Sequence, residues 1–362
     1  DLIFFDTTSS YFEMEGEDEE GIRHFGYSRD QRPDRAQVVV GLAVTKEGIP
    51  VRCWVFPGNT ADASTVQQVK QDLHGWKLDR VVLVADRGMT GEENLRLLRQ
   101  DGGHYIMGER MRAGLPLVEE ALSRPGRYRV VRDNLEVKEV VVKSGRRSDR
   151  YVICRNPWEA ERDRARRELL LADLEGALGE LDQAQGVHRR KACALRISRR
   201  FGRYVRQLRN GNLELDRAVV AAEERLDGKY LIHTSDRTLT AEEVALGYRQ
   251  LLQVERGWRD LKQRLELRPM FHRKEDRIRA HILLCFLGLM LIRVAENQAD
   301  TTWARLRREL QRVCQVELSG PAGTVLQTSR LTPSQTQLFD ALQVPPPLRV
   351  WAAASSSAPE AA

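Results

Sequence analysis

Short apolar runs, each bounded by polar or turn-forming positions, divide the first 110 residues of this chain into segments of strand length. The longest is Val38–Val44, a nearly continuous series of β-branched and aliphatic residues that begins directly after Gln37. Such runs are typical of strands that are buried on both faces. We therefore expect five strands in this part of the chain, at 2–5, 37–44, 51–56, 81–85 and 104–108.

Two stretches between these strands have helical periodicity instead. From Asp62 to Leu73 the apolar residues Val66, Val69 and Leu73 fall on one face, and a second helix is expected from Thr90 through Leu98. Three adjacent strands, a helix, a strand, a helix and a strand form the order expected of a ribonuclease H-like sheet. The predicted fold is α/β, a mixed sheet flanked by helices, with its first part in residues 1–111.

Residues 112–229 differ in character and are predicted to be a large insertion, a β-hairpin followed by helices. The hairpin is expected from Val137–Val142 and Tyr151–Cys154, and Pro157 suits the first position of a long helix. From 186 to 210 there are nine Lys or Arg residues and no acid. Apolar residues recur there at helical spacing, and the opposite face of the predicted helix carries four arginines, Arg196, Arg199, Arg203 and Arg206. This helix either contacts phosphates or is an ordinary solvated face over an apolar stripe.

The second part of the core is predicted at residues 230–300, and it begins with a strand near Tyr230. Thr240 and Glu243 have the spacing of a capping box, which opens a helix expected to reach about Glu266. A second helix, from Asp276 to about Asn297, is apolar almost all round and is expected to be buried. Residues 301–344 are predicted to be a helical C-terminal region, and residues 345–362, rich in Pro, Ala and Ser, a disordered tail.

Composition narrows the class of protein only mildly. The net charge of +6 and the pI near 9.1 favour an anionic partner, although a somewhat basic housekeeping enzyme would have the same balance. The five cysteines lack paired spacing, so we expect reduced thiols and neither a zinc site nor a disulfide framework. No signal peptide is visible, and the apolar stretch 282–292 is too short to span a bilayer. A cytoplasmic protein without a membrane partner is therefore expected.

Three acids stand where chemistry is expected. Asp6 and Asp86 each follow an apolar run, and a carboxylate at the exit of a buried strand points into the crevice above the sheet. Glu255 lies far downstream in the predicted basic helix. Together they have the hard oxygen donors that divalent cations prefer, and two such cations serve phosphodiester displacement. The alternative for each aspartate is a turn former or a helix cap.

The segment around Glu255 adds groups suited to DNA. Tyr248, Glu255 and Lys262 are spaced by seven residues and would share one face of a continuous helix, with Arg259 near the same stripe. An aromatic hydroxyl and an ammonium beside a carboxylate indicate an active-site edge that faces a DNA backbone. The alternative is a solvated helix with pairs such as Glu255–Arg259.

The chain resembles the DDE transposases of bacterial insertion sequences, in the group whose last acid lies in a Tyr-x2-Arg-x3-Glu-x6-Lys signature. Tyr248, Glu255 and Lys262 match that signature, whereas Leu251 takes the place of its arginine. Arg249, Arg256 and Arg259 are the candidates to substitute for it. Five further segments resemble the other motifs in order, at 6–9, 26–34, 57–62, 85–88 and 272–281. The resemblance covers roughly residues 2–295.

The resemblance implies a ribonuclease H-like core in which Asp6, Asp86 and Glu255 bind two Mg²⁺ or Mn²⁺ ions. It implies cleavage at transposon ends, in terminal inverted repeats, and strand transfer into target DNA by a homodimer on DNA. A bacterial, nucleoid-associated protein is expected. The family usually carries an N-terminal region that recognises these ends, and since Asp1 opens directly on a strand, we expect that region to be missing here. Two alternatives stay open, a nuclease that only hydrolyses DNA and an inactive DNA-binding remnant.

Overall fold

The computed structural model describes residues 2–74, 81–100, 103–144, 147–183, 188–321 and 323–355. The chain divides into two compact units. Unit 1 comprises residues 1–7 and 60–255, and unit 2 comprises residues 8–59 and 256–362. Strand β1 (Leu2–Tyr11) contributes residues to both.

Unit 1 is a mixed sheet with helices packed against it. Its further strands, in chain order, are β4 (Val82–Ala85), β5 (His104–Glu109), β6 (Arg129–Arg132), β7 (Leu135–Ser144), β8 (Arg147–Arg155), β9 (Val205–Gln207), β10 (Leu213–Leu215) and β11 (Lys229–Thr234). Its helices are α1 (Asp62–His74), α2 (Glu92–Arg99), α3 (Pro116–Ser123), α4 (Pro157–Gln183), α5 (His188–Ile197), α6 (Arg217–Glu224) and α7 (Ala241–Arg249). Helix α8 (Leu252–Gln263) begins in unit 1 and ends in unit 2.

The sheet of unit 1 has the order β1-β4-β5-β11-β8-β7-β6. Strands β1, β4 and β5 are parallel to one another, and β11, β8, β7 and β6 continue the sheet in antiparallel fashion. Parallel strands need a crossover between them, which explains why α1 and α2 separate β4 and β5 from their neighbours in sequence. The predicted mixed α/β sheet is confirmed.

The predicted hairpin is confirmed, and it extends the sheet. Strand β8 pairs with β11 along the register from Lys229↔Arg155 to Thr234↔Arg150, and β7 pairs with β8. A core of Val140, Val142, Ile153 and Leu231 forms beneath α3. Beyond the hairpin, α4 and α5 pack with the small β9–β10 pair around Leu181, Ala192 and Leu213.

The basic segment is not one helix, contrary to the prediction. Helix α5 ends at Ile197, a short 3₁₀ turn spans Gly202–Tyr204, and strand β9 follows. A Cβ atom on Gly202 would lie 2.3 Å from the Arg196 carbonyl oxygen, so the chain doubles back over the end of α5 at a point that only glycine permits. The four arginines therefore lie on different elements and do not share a helix face.

The predicted single helix from Thr240 to Glu266 is also wrong. The capping box is present, since the Thr240 hydroxyl accepts from the Glu243 amide and the Glu243 carboxylate accepts from the Thr240 amide. Helix α7 ends at Arg249, however, and α8 starts at Leu252. The Leu251 amide donates to the carbonyl of Tyr248, three residues earlier instead of four, which is the pattern of a 3₁₀ turn between the two helices. Tyr248 and Glu255 are thus on separate helices.

Unit 2 contains the second half of β1 and the antiparallel strands β2 (Gln37–Val44) and β3 (Pro50–Pro57), in the order β3-β2-β1. Strand β2 is buried along its whole length, as its continuous apolar run predicts. The order β3-β2-β1 in this unit and the parallel β1-β4-β5 in unit 1 agree with the ribonuclease H-like prediction. Helix α9 (Glu275–Gln298) packs on β3.

Helix α9 is only partly buried, which corrects the expectation of a fully buried helix. Ile278, Ile282 and Leu289 are buried, whereas the exposed fraction of Leu284 is 67% and that of Leu291 is 69%. Among the described residues, α9 is the one helix long and apolar enough to cross a membrane. The core helix of a protein passes the same test. The buried face of α9 contains Arg293 and Glu296, which form ion pairs there.

The C-terminal part contains strands that composition did not predict. It consists of α10 (Trp303–Leu310), β12 (Gln315–Gly320), β13 (Gly323–Thr328), α11 (Pro333–Ala341) and β14 (Val350–Ser355), and the three strands form one antiparallel sheet. The region 301–344 is therefore not purely helical. Disorder from residue 345 is wrong for Val350–Ser355, which pairs with β13, and residues 356–362 lie outside the described part.

Candidate active site

Parallel pairing of β1 and β4 brings the two aspartates to neighbouring strands. The register runs from Leu2↔Val82 to Phe4↔Val84, a constant offset of 80 residues, so two further residues along both strands bring Asp6 level with Asp86. Asp86 directly follows β4 and precedes a 3₁₀ turn at Arg87–Met89. Asp6 was expected at a strand end, but β1 continues to Tyr11. Asp6 therefore lies inside the strand, beyond the point where its pairing with β4 ends.

One cavity of about 330 Å³ in unit 1 collects the three predicted acids. Its lining consists of Asp6, Asp86, Asn134, Asn156, Tyr230, Tyr248, Arg249, Leu251, Leu252 and Glu255. Glu255 lies in the first turn of α8, and Tyr248 in the last turn of α7. The break between these helices does not separate the two residues, because both side chains border the same cavity.

The acids are not a preformed metal cluster. Among the described residues, no three His, Cys, Asp or Glu side chains are close enough together to hold a metal ion as they stand. The Glu255 carboxylate makes no ion pair or side-chain hydrogen bond with any residue that the structure describes, and it is exposed. Three carboxylates around one cavity nevertheless have the oxygen donors that Mg²⁺ and Mn²⁺ prefer. The donor set fits such ions, and closing it requires a side-chain movement.

Tyr248 fixes the orientation of Asp86. Its hydroxyl donates to Asp86 Oδ1 at 3.1 Å, and its ring stacks with that of Tyr230 at a centroid distance of 6.0 Å. Burial raises the pKa of the Tyr248 hydroxyl, and the adjacent Asp86 carboxylate raises the pKa further. The phenol therefore stays protonated and remains a donor to Asp86 throughout the physiological range.

A glycine on the neighbouring strand makes room for this contact. A Cβ atom on Gly108 would lie 2.1 Å from the Tyr248 hydroxyl oxygen and 2.9 Å from the ring carbon that bears it. Any side chain at position 108 would displace the phenol from Asp86. The contact between Tyr248 and Asp86 therefore depends on a glycine at this position of β5.

The sequence predicts DNA strand cleavage at these acids, and we expect Tyr248→Phe and Gly108→Ala to lower that predicted activity to a similar extent. Each change removes or displaces the hydrogen bond that holds Asp86, and loss of an outer partner of a ligating group typically costs about 10- to 100-fold in activity. The measurement is the single-turnover cleavage rate of each variant. Gly176→Ala on α4 is the matched control, because no atom lies within 4 Å of the added methyl and Gly176 does not have a positive φ. Full activity in Gly108→Ala would show that the phenol has no part in placing Asp86.

Three lining residues carried no signal in the sequence as site residues, namely Asn134, Asn156 and Tyr230, whereas Arg249 was one of the three candidates for the place of the signature arginine. Asn156 Oδ1 accepts from the amides of Trp158 and Glu159 at the start of α4. Asn134 lies in the two-residue turn between β6 and β7. Both come from the inserted part of the chain, and only its pairing into the sheet brings them to the acids.

The predicted DNA contacts on α8 have different surroundings. Lys262 Nζ lies 2.8 Å from the buried Asp30 carboxylate, which also pairs with Arg268, and the Lys262 side chain is 11% exposed. Burial lowers the pKa of Lys262, and the Asp30 contact opposes that shift. Arg259 is exposed. Both residues belong to unit 2.

The four arginines of the basic segment are exposed, and three have partners within the insertion. Arg196 donates to Gln207, Arg203 pairs with Glu223 and stacks on Tyr204, and Arg206 pairs with Glu214. The surface around them is thus less positive than the run of arginines alone indicates.

A larger cavity, about 1010 Å³, lies within the insertion. Its lining charges are largely internal pairs, among them the two-point contact of the Arg167 guanidinium with the Asp227 carboxylate at 2.5 and 2.6 Å. None of the three predicted acids lines it. Its size therefore does not make it the candidate for chemistry.

The chain matches one protein family and is similar to a solved transposase structure. Residues 2–291 match the family described as "Transposase DDE domain". No curated protein matches the chain. Among solved structures, the chain is similar to one in the "Cryo-EM structure of piggyBac transposase synaptic complex with hairpin DNA", with 9% identity and a TM-score of 0.38. The match covers 94% of this chain and 51% of that one, so this chain spans about half the length of the piggyBac chain.

Proposed function

This chain belongs to the transposase DDE domain family, and from that premise we propose that it cleaves DNA at transposon ends and transfers the freed ends into target DNA. The observation that carries the proposal is the single cavity bordered by Asp6, Asp86 and Glu255. Asp6 in β1 and Asp86 just after β4 are at equivalent register positions of neighbouring parallel strands, and Glu255 lies in the first turn of α8. We propose these three residues as the catalytic acids.

The family works with divalent metal ions, and we propose that two Mg²⁺ or Mn²⁺ ions bind to Asp6, Asp86 and Glu255. Such ions, when bound, activate the attacking oxygen and stabilise the leaving oxygen in an in-line phosphodiester displacement. The described geometry supports the donor set and not a finished site, because the three carboxylates border one cavity without forming a cluster close enough to hold an ion.

The side chains of this protein have separate tasks in that reaction. Tyr248 holds one oxygen of Asp86, so the other oxygen is directed to the reaction. Leu251 and Leu252 give the cavity an apolar stretch of lining beside Glu255. Glu255, which lacks a described side-chain partner, is the acid with most freedom to adjust to substrate.

Outside the cavity, DNA contacts are proposed for exposed cations on both units. Arg259 on α8 and the arginines of the basic segment, Arg196, Arg199, Arg203 and Arg206, offer donors to phosphate oxygens. Lys262 can do so only after its contact with Asp30 opens. Because two ends must be held together for joining, a homodimer on terminal-repeat and target DNA is part of the proposal. The location of the protein in the bacterial cytoplasm stays a prediction.

The proposal predicts that removal of divalent cations stops cleavage reversibly. A duplex that carries one terminal inverted repeat and its flanking DNA should be cut in Mg²⁺ or Mn²⁺, remain intact in EDTA and be cut again when the cation is restored. A second, labelled duplex in the same reaction reports joining of the freed 3′-hydroxyl end.

The three outcomes separate the alternatives. Cation-dependent cleavage with joined product supports the transposase. Cleavage without any joined product, at all duplex concentrations, indicates a nuclease that only hydrolyses. Salt-sensitive DNA binding with no cleavage and no Mn²⁺ binding indicates an inactive DNA-binding remnant.

A further inference from the structure

The cavity that contains the acids has one cationic wall. Among the residues that the structure describes, Arg249 is the single Lys or Arg that lines it, together with the three carboxylates. A DNA phosphate that enters the cavity meets repulsion from three negative charges until cations offset them. A positive group in the lining is therefore placed where a phosphate needs it.

The partner of Arg249 leaves its charge available. Its Nη1 donates to Asn134 Oδ1 at 3.1 Å, and that acceptor is a neutral amide. Other partly buried arginines of the chain are neutralised, such as Arg99 on Asp149 and Arg150 on Glu139. Arg249 makes no ion pair with any residue in the described part of the chain. It is oriented by Asn134 and remains a full positive charge.

Both ends of this contact belong to ordered elements. Arg249 is the last residue of α7, which packs against β5, β7, β8 and β11. Asn134 occupies the tight turn between β6 and β7, so its position follows from the pairing of those strands. A guanidinium held on one edge keeps its remaining N–H groups in a fixed fork, which suits two-point binding of a phosphate.

We propose that Arg249, positioned by Asn134, binds the non-bridging oxygens of one DNA phosphate at the catalytic cavity. This inference rests on the proposed function, because it assumes that the cavity receives a DNA strand. Arg249 is then a substrate-binding residue, and Asn134 is a positioning residue that acts through it.

The test combines protein variants with changes to single phosphates in the DNA. The probe is the terminal-repeat duplex with flanking DNA, in which one phosphate at a time near the cleavage site is replaced by an uncharged methylphosphonate. Binding is measured in Ca²⁺ with the full chain, so the readout does not depend on cleavage. For the wild type we expect one position at which the replacement weakens binding about tenfold or more, the range for a charged two-point contact. In Arg249→Gln that replacement should have no further effect, whereas the effects at other positions should persist.

Two controls keep the result interpretable. Arg164→Gln removes one exposed, ion-paired arginine from α4 and should leave the position-specific loss unchanged. If Arg249→Gln unfolds early, Arg249→Lys keeps the charge in the same place and should reduce the position-specific loss without eliminating it. An undiminished loss at every position in both Arg249 variants would overturn the inference.

Asn134→Asp tests the positioning role. It retains an acceptor of the same size but gives Arg249 a carboxylate partner, so the contact becomes an ion pair and the arginine is neutralised. We expect unchanged or higher thermal stability together with weaker DNA binding, lost at the same phosphate as in Arg249→Gln. A purely structural role would leave DNA binding intact in this variant, and that result would overturn the positioning role.

Failure of this inference is distinguishable from failure of the proposed function. If the wild type cleaves and joins DNA but no phosphate couples to Arg249, only the inference fails. If one phosphate couples to Arg249 but the wild type never cleaves in Mg²⁺ or Mn²⁺, the proposed function fails and the phosphate contact stands.

Discussion

Asp86→Ala is expected to abolish strand cleavage, with a loss on the order of a thousandfold or more, since the proposed chemistry loses one of three cation-binding carboxylates. The fold should persist, because Asp86 is exposed and its described side-chain contact is the single hydrogen bond from Tyr248. Loss of that bond costs about 1 kcal/mol in the free energy of unfolding. The measurement is single-turnover cleavage in Mg²⁺ and in Mn²⁺, paired with a thermal melt of the same preparation.

Asp173→Ala is the matched control for this experiment. Asp173 is an exposed aspartate on α4 whose partner is Arg200, and it does not line the cavity of the acids. Its removal should leave cleavage unchanged. Strand cleavage retained at the wild-type rate in Asp86→Ala would remove Asp86 from the active site and with it the proposed mechanism.

The largest effect on stability is expected from Arg293→Met. Arg293 is almost fully buried in α9, where its guanidinium reaches Glu296 at 2.5 Å and Asp260 at 2.7 Å. The methionine leaves two buried carboxylates with less compensation, and removal of one partner from a buried ion pair typically costs about 3–5 kcal/mol. Arg256 and Arg264 still contact these acids, which places the expected loss near the lower end, about 3 kcal/mol.

Urea unfolding monitored by circular dichroism measures this loss as a shift of the midpoint. Arg305→Met, an exposed arginine on α10, should change the free energy of unfolding by less than about 0.5 kcal/mol. A shift for Arg293→Met no larger than that of the control would mean that the buried network contributes little to stability.

The elements of the sheet could be predicted where the apolar pattern is local and complete. Strand β2 matches its predicted bounds, and α1 buries Val66, Val69 and Leu73 as its periodicity requires. The prediction and the structure agree for these segments because burial on two faces of a strand, or on one face of a helix, requires apolar residues at regular positions in the sequence.

The two predictions of long helices failed because tertiary contacts interrupt segments with good helical spacing. Neither Gln250 nor Leu251 disfavours a helix, yet the chain tightens between α7 and α8. In the basic segment, Gly202 was a usable signal, since a glycine shortly after a helical run often marks its end. The regular spacing of the arginines, however, predicts a helix that continues past Gly202.

The C-terminal strands were missed for a different reason. Residues such as Val350, Trp351 and the alanines after them have a low-complexity composition that predicts disorder, but β13 supplies a partner strand. A composition rule treats the segment alone and cannot register a hydrogen-bonding edge that lies elsewhere in the chain.

The three acids of the candidate site could be predicted from the sequence, whereas most of the other residues that line the cavity could not. Asp6, Asp86 and Glu255 stand out because each interrupts a local pattern, and the structure places all three around one cavity. Their chemical roles stay a proposal. Asn134 had no signal, and Arg249 was only one of three candidates for the signature arginine, because the contact between them arises from the placement of a hairpin turn beside the end of a helix.

The position of Asp6 within a continuous strand has a consequence for how the acids divide their work. Strand β1 continues on both sides of Asp6, whereas Asp86 directly precedes a 3₁₀ turn and Glu255 lies in the first turn of α8. Amide hydrogen exchange should accordingly be slow around Asp6 and faster at the other two positions. Asp6 then keeps a fixed position and Tyr248 holds Asp86, so Glu255 is the acid that adjusts to the substrate. Because the ordering of Glu255 has an entropic cost that either ligand can offset, DNA and cation should each raise the affinity for the other by the same factor.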